Sequence, residues 1–354
     1  MKRCSILTIL FSYLFVSFVH AQTHIILPPS DQKRKVKRTI SQKNTNQTLV
    51  MVKNQGKYGF IDKTGKVVIP CKWEKAYPFS EDLSKVMDNN QRWGFINKMG
   101  KQVIPCKWKD AYSFFEGLAL VQDNNGKWGF IDKTGRLVIP CIWKEADSFT
   151  EGLAGVWDNN EKSGFIDKTG KLVIPCQWDS THGFSEGLGK VWNDTGDELR
   201  GFIDKTGKVV IPLKWHSAGD FSEGLASVEN ENEKWGFIDK TGKLVIPCKW
   251  TDASDFSEGL ACVMEGDWGH GKNGYIDRTG KIIIPCKWKG AMDFSEGLAG
   301  VKDDSGKWGY INKSGSLVIS CKWKTARGFS DGIAWVTDSD GKDYRINKKG
   351  QILK

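Results

Sequence analysis

Histidine is scarce in this 354-residue chain, with five in all and four after Ala21: His24, His182, His216 and His270. They fall at unrelated places, without a paired metal-binding spacing, and no Gly-x-Ser-x-Gly element accompanies them. Cys-x-x-Cys spacing is absent too, which argues against structural zinc and thiol redox chemistry. Helical periodicity is missing throughout, and that excludes the helical repeat architectures. Beyond the N-terminus every apolar run is broken by Lys, Asp or Gly within about six residues, far short of the roughly 20 a spanning helix needs. The expectation is a chain without cofactor, metal or catalytic constellation.

What is present begins with Met1-Lys2-Arg3, an apolar run from Ile6 to Val19, and Val19-His20-Ala21. Basic head, hydrophobic middle and small residue make a secretory signal peptide over 1–21, cleaved after Ala21, with a retained anchor as the alternative. The expected location is periplasm, cell surface or medium. Residues 22–47 are polar, contain Pro28-Pro29, and form a basic leader expected to be flexible. Of the formal +10, Lys2 and Arg3 carry two and the leader five, which leaves +3 for residues 48–354. A nearly neutral array is a poor nucleic-acid binder, whereas the leader suits an anionic surface.

Residues 48–354 repeat. A glycine before an aromatic–isoleucine pair recurs at Gly59, Gly94, Gly129, Gly164, Gly201, Gly236, Gly274 and Gly309, in steps of 35, 35, 35, 37, 35, 38 and 35 residues. A degenerate ninth copy, Asp343 to Asn347, lies near the C-terminus. Each unit reads as three short strands. In the third these are Gly117 to Val121, Lys127 to Ile131 and Leu137 to Trp143, with Asn125-Gly126 as a hairpin tip. Gly129 within its strand marks a bulge or a close backbone approach, and Pro140 marks a bend. The turn Asp132-Lys133-Thr134-Gly135 is explained without a ligand, since an Asp side chain accepts from the backbone two residues on.

The pattern resembles the bacterial WG (KWG) repeat, on Trp93-Gly94, Trp128-Gly129, Trp235-Gly236 and Trp308-Gly309, the Val-Ile-Pro run and Phe-Ser-Glu-Gly-Leu. Tyr58, Ser163, Arg200 and Asn273 depart from the Trp. The resemblance implies binding rather than catalysis. Propeller blades usually have four strands and about 40 or more residues. The expected fold is therefore an all-β tandem array of eight repeats plus a terminal part-repeat, as an open solenoid or superhelix in preference to a closed propeller-like ring.

Seven cysteines share one slot, from Cys71 to Cys321, with Cys262 outside it. Leu213 fills the slot in the fifth copy, which points to packing and free thiols, although export favours pairing. Eight tryptophans, Trp73 to Trp323, share a second register expected to stack between units. Trp157, Trp192, Trp268 and Trp335 fit neither register, and Trp268 sits with His270 in an inserted hairpin tip. These five residues are the candidate partner-binding set. An acidic ladder, Glu81, Glu116, Glu151, Glu186, Glu223, Glu258, Glu296 and Asp331, precedes each Gly-Leu or its equivalent. The leading function is a non-catalytic envelope scaffold that binds a protein or polysaccharide. The alternatives are a glycan hydrolase using the Glu ladder, and a structural spacer.

Overall fold

A computed structural model describes residues 49–193 and 198–353. The expected signal peptide and basic leader lie outside the described residues. The third unit shows how each sheet is made. Asp110–Ala111, Leu118–Gln122, Trp128–Asp132 and Leu137–Trp143 form an antiparallel meander in chain order. The same arrangement recurs to give nine sheets, the first of three strands and the other eight of four.

This corrects the open solenoid. A β solenoid stacks each strand on its counterpart in the next repeat, but here every strand of the described sheets hydrogen-bonds only within its own unit. The units are blades of a nine-bladed β-propeller that meet face to face, and no helix occurs among the described residues. The three-strand reading failed because the extra strand is two residues long, too short to show alternation. In the third blade it is anchored by Ala111, which is fully buried and pairs with Val121. The ninth copy is likewise a blade, Thr325–Ala326 to Ile352–Leu353.

Packing follows from the strand period. On Leu118–Gln122, Ala119 and Val121 face the second blade, while Leu120 faces the fourth. Both faces are covered, so the strand reads as a continuous apolar run. The core is a series of eight layers between successive blades. In each layer the aromatic after the repeat glycine meets the Phe of the next unit, as Phe130 meets Phe149 at 4.8 Å between ring centroids. Such pairs add about 0.5–1.5 kcal/mol beyond burial.

The expected bulge is present. Trp128 pairs with Trp143 and Phe130 with Ile139, so Pro140, Cys141 and Ile142 stand opposite Gly129 alone. A Cβ on Gly129 would lie 2.5 Å from the Ile139 carbonyl oxygen and 2.7 Å from the Cys141 nitrogen, which admits only glycine. In the following turn, Asp132 Oδ1 accepts from the Thr134 amide (2.9 Å), the Thr134 hydroxyl (2.6 Å) and the Arg136 amide (3.1 Å). Those bonds, the Thr134 hydroxyl first, hold the Asp132 carboxyl down to about 2. Gly135 takes φ +85° and lies over the Ile104 side chain of the preceding blade, so the turn is also part of an interface.

Candidate binding surface

Among the described residues, the last strand of each sheet pairs on one side only and forms an edge. Its burial alternates so that Leu137, Pro140 and Ile142 are exposed, while Ile139 is buried in the inter-blade core. The same edge position is exposed and apolar at Val67, Leu172, Val209, Leu244, Ile282 and Leu317, with Gln102 as the polar exception in the second blade. Single exposed aliphatic residues need no explanation, but one at the same place in blade after blade makes a periodic surface. Proline inside each such edge, Ser320 replacing it in the eighth blade, withholds a donor and blunts strand-to-strand addition. What the edge offers a partner is therefore side chains.

The five predicted residues fall in four blades. Trp157 ends the strand Leu153–Trp157 and Trp192 is the penultimate residue of its counterpart, Leu188–Asn193; both are half-buried. Trp157 lies directly opposite Ser163, and Trp192 opposite Arg200, whose guanidinium sits 5.8 Å from the indole. In the second and third blades the same cross-strand pairs are Met87–Trp93 and Gln122–Trp128. In the fourth and fifth blades, where Ser163 and Arg200 replace the Trp of the Trp-Gly pair, the ring has thus moved across the ladder to its partner position, whereas Asn273 in the seventh blade faces Met264. That exchange was legible in Leu-Ala-Gly-Val-Trp and Leu-Gly-Lys-Val-Trp, had the two strand ends been aligned.

Trp268 is 63 % exposed at the inserted tip, and His270 beside it is exposed, its amide donating to the Asp267 carbonyl at 3.0 Å. Trp335 is half-buried in the ninth blade opposite Arg345, whose guanidinium is 6.0 Å from its ring. The structure brings no three of these residues to one place.

Members of the acidic ladder reach across blades. Glu116, at φ +50°, accepts from the Gly152 amide at 2.9 Å and pairs with Lys168 at 3.0 Å, both in the unit beyond. Glu81 does the same with Gly117 and Lys133, and Glu296 with Gly332 and Lys348. The neighbouring serine joins in, as Ser80 donates to the Phe114 carbonyl at 2.6 Å. Phe-Ser-Glu-Gly-Leu is therefore an inter-blade clamp. The eight cysteines of the described residues are free thiols, and burial pushes Cys106, Cys141 and Cys286 up to about 11, away from reactive thiolate.

Ionisable groups that sequence reasoning left unconnected meet between the fourth, fifth and sixth blades. His182 Nδ1 and the Lys190 ammonium both lie 3.2 Å from Asp220 Oδ1, and Lys190 also donates to the Ala218 carbonyl at 2.9 Å. Burial alone would raise Asp220, but the hydrogen bonds from His182 and Lys190 outweigh it and hold the carboxyl down to about 2. Asp147, one interface earlier, receives no hydrogen bond from the described residues, and burial pushes it up to about 6. Nothing in the repeat consensus announces these contacts, because each uses a position that differs between copies. Among the described residues no group of His, Cys, Asp and Glu could hold a metal ion.

Among solved structures, a eukaryotic initiation factor is similar with a TM-score of 0.62 at 12 % identity, covering 88 % of this chain and 96 % of that one. At that identity the likeness is one of fold alone. BamB from Moraxella catarrhalis (TM-score 0.44, 11 % identity, 77 % and 95 % covered) is less similar. So is apo AztD from Citrobacter koseri (0.41, 12 %, 86 % and 93 %). No curated protein matches. The family model described as WG containing repeat matches residues 58–91, 93–128, 128–160, 164–191, 201–235, 235–267, 274–307 and 308–342. Matched over most of its length, the chain belongs to the WG-repeat family.

Proposed function

We propose that the protein is an exported, non-catalytic scaffold of the cell envelope that binds a protein or an envelope polymer through the repeated edges of its blades. The observation that carries this reading is the exposed aliphatic side chain at the same edge position, Leu137, Leu172, Leu244 and Leu317 among them. A surface repeated at blade spacing suits a partner that is itself extended or repetitive, since weak contacts multiply when several engage at once. The basic leader adds a salt-sensitive contact with anionic surfaces. The hydrolase reading gains no support, because the Glu116 carboxylate and its counterparts are occupied by an amide and a lysine in the same way, blade after blade.

The test is capture from cell-envelope extract on the immobilised chain, with one, two and four of these leucines changed to serine. Stepwise loss of the captured partner is expected, at high salt as well as low. Unchanged capture by the fourfold variant, or elution of everything at modest salt, would sink the edge as the binding surface.

A further inference from the structure

The exposed aliphatic residue is only half of what each blade edge presents. Over the first eight blades the edge strands, Val67–Trp73 to Leu317–Trp323, hold six lysines and no aspartate or glutamate. Residues 48–354 carry +3 in all, so the array outside these strands is net acidic. The six are Lys72, Lys107, Lys214, Lys249, Lys287 and Lys322, all exposed and each one residue before the tryptophan that ends its strand. Ile142 and Gln177 take the slot in the third and fourth blades, which leaves an unbroken run from the fifth blade to the eighth.

Each ammonium of that run is held in place without being neutralised. It stands over the ring of the tryptophan that follows, at 4.9 Å for Lys214, 4.6 Å for Lys249, 5.2 Å for Lys287 and 4.9 Å for Lys322. None of the four pairs with a carboxylate among the described residues. The hairpin tip near the eighth edge strand uses its carboxylate locally, Asp303 accepting from the Ser305 hydroxyl at 2.6 Å and the Lys307 amide at 3.0 Å. A side chain already ordered by a ring loses less freedom when a partner arrives. Neighbouring edges also adjoin: a Cβ on Gly280, in the turn that leads into Ile282–Trp288, would lie 3.1 Å from Ile246 Cγ2 on the preceding edge strand. The charge of Lys249 acts on the Cys286 thiol of Ile282–Trp288, so successive lysines lie within reach of one extended chain.

Taking the blade edges as the binding surface, we propose that the run from the fifth blade to the eighth binds an acidic polysaccharide, its carboxylates on Lys214, Lys249, Lys287 and Lys322 and the C–H faces of its sugar rings against Val209, Leu244, Ile282 and Leu317. Charge complementarity selects a polyanion. No aromatic residue of these strands is exposed, so nucleic-acid bases have nothing to stack on. The strands carry no arginine fork for phosphate, whereas a lysine ammonium is a compact charge suited to a single carboxylate. Blades are related by rotation, so their edges turn through successive directions that a flexible chain follows and a flat bilayer does not. One cation and one aliphatic side chain at every blade match a repeating polymer, whose weak contacts add along its length.

The experiment is calorimetric titration of the full chain with alginate oligosaccharides of increasing length and with neutral dextran, after Lys33, Arg34, Lys35, Lys37, Arg38 and Lys43 have each been changed to Gln to silence the basic leader. Alginate, a polyuronate, is expected to bind more tightly as it lengthens, and dextran is not expected to bind. Lys214→Gln, Lys249→Gln and Lys287→Gln together should weaken alginate about tenfold, three exposed ion pairs being lost. Lys205→Gln, Lys240→Gln and Lys313→Gln remove the same charge from the inter-blade clamp and should change the affinity by less than about twofold. Thermal melts check that both variants fold. Raised salt should weaken alginate without abolishing its binding, because the aliphatic contacts remain. Equal losses in the two triple variants, tighter binding of polyglutamate, an oligothymidylate or phosphatidylglycerol vesicles than of alginate, or no saturable heat would overturn the proposal. Stepwise loss of the envelope partner when the edge leucines become serine would still uphold the edge as the binding surface in each of those cases, so the two readings fail separately.

Discussion

The interface between the fourth and fifth blades and the one between the fifth and sixth share a backbone register but differ in charge. In the later one, Asp220 has Lys190 and His182 at hydrogen-bond range and is held to about 2. In the earlier one, Gly155 stands where the lysine would be, and Asp147 is pushed up to about 6 by burial. The framework around both is constant: the aromatic pairs Phe165–Phe184 and Phe202–Phe221 each stand 4.9 Å apart. The repeat therefore separates two tasks. Residues common to the copies build the interface, and one variable position sets its chemistry.

The widest separation between those tasks should appear at two glycines. Gly129→Ala forces a Cβ into the backbone of the facing bulge and should cost about 3 kcal/mol or more, read as a large fall in Tm. Gly155→Ala meets only side-chain atoms at 3.1 Å or beyond and should cost less than about 1 kcal/mol. Equal losses would erase the distinction between framework and variable positions.

Next in size is the displaced ring. Trp157→Ser removes a half-buried indole and should cost about 2 kcal/mol. Adding Ser163→Trp restores a tryptophan to the opposite strand, as in Gln122–Trp128, and should recover most of the loss. A double variant no more stable than the single one would show that Trp157 is not serving the framework.

The two aspartates should respond to pH in opposite directions. Asp220 is depressed, so its stabilisation is present above about 4 and is lost as pH falls toward 2. Asp220→Asn should therefore lower stability by about 2 kcal/mol at pH 7, because Lys190 and His182 lose their counter-ion. Asp147 is raised, so the folded state gains from its proton below about 4 and loses that gain as pH rises through 6. Asp147→Asn should raise Tm at pH 8 and leave it unchanged at pH 4. Parallel pH profiles for the two variants would contradict the charge difference between the interfaces.

The smallest effect belongs to the clamp. Glu116→Gln keeps the shape but weakens the bonds to Gly152 and Lys168, and at a partly exposed site about 1 kcal/mol is expected. Raised salt should shrink the difference.

Much of one blade was legible before any coordinates. The turn at Asp132, the close approach at Gly129 and the bend at Pro140 each rest on a local constraint, so their residue types carry the signal. Asp110–Ala111 was not legible, because two residues show no period. The shared position of Trp157 and Trp192 became clear only when their cross-strand partners, Ser163 and Arg200, were in view. The meeting of Asp147 and Thr181 beside Gly155 was hidden more thoroughly, since the two come from different blades and neither position is constant.

By itself the sequence determined the repeat, its period, the strand and turn chemistry within a unit, and its family. Only the tertiary structure decided that the units are blades, that Glu116 reaches Gly152 rather than Gly117, and which side chains share a gap. The reason is the repetition itself. When every copy carries the same residues, a contact within one unit and the same contact made to the next unit leave an identical pattern in the chain. Only the packing of one blade on another tells them apart.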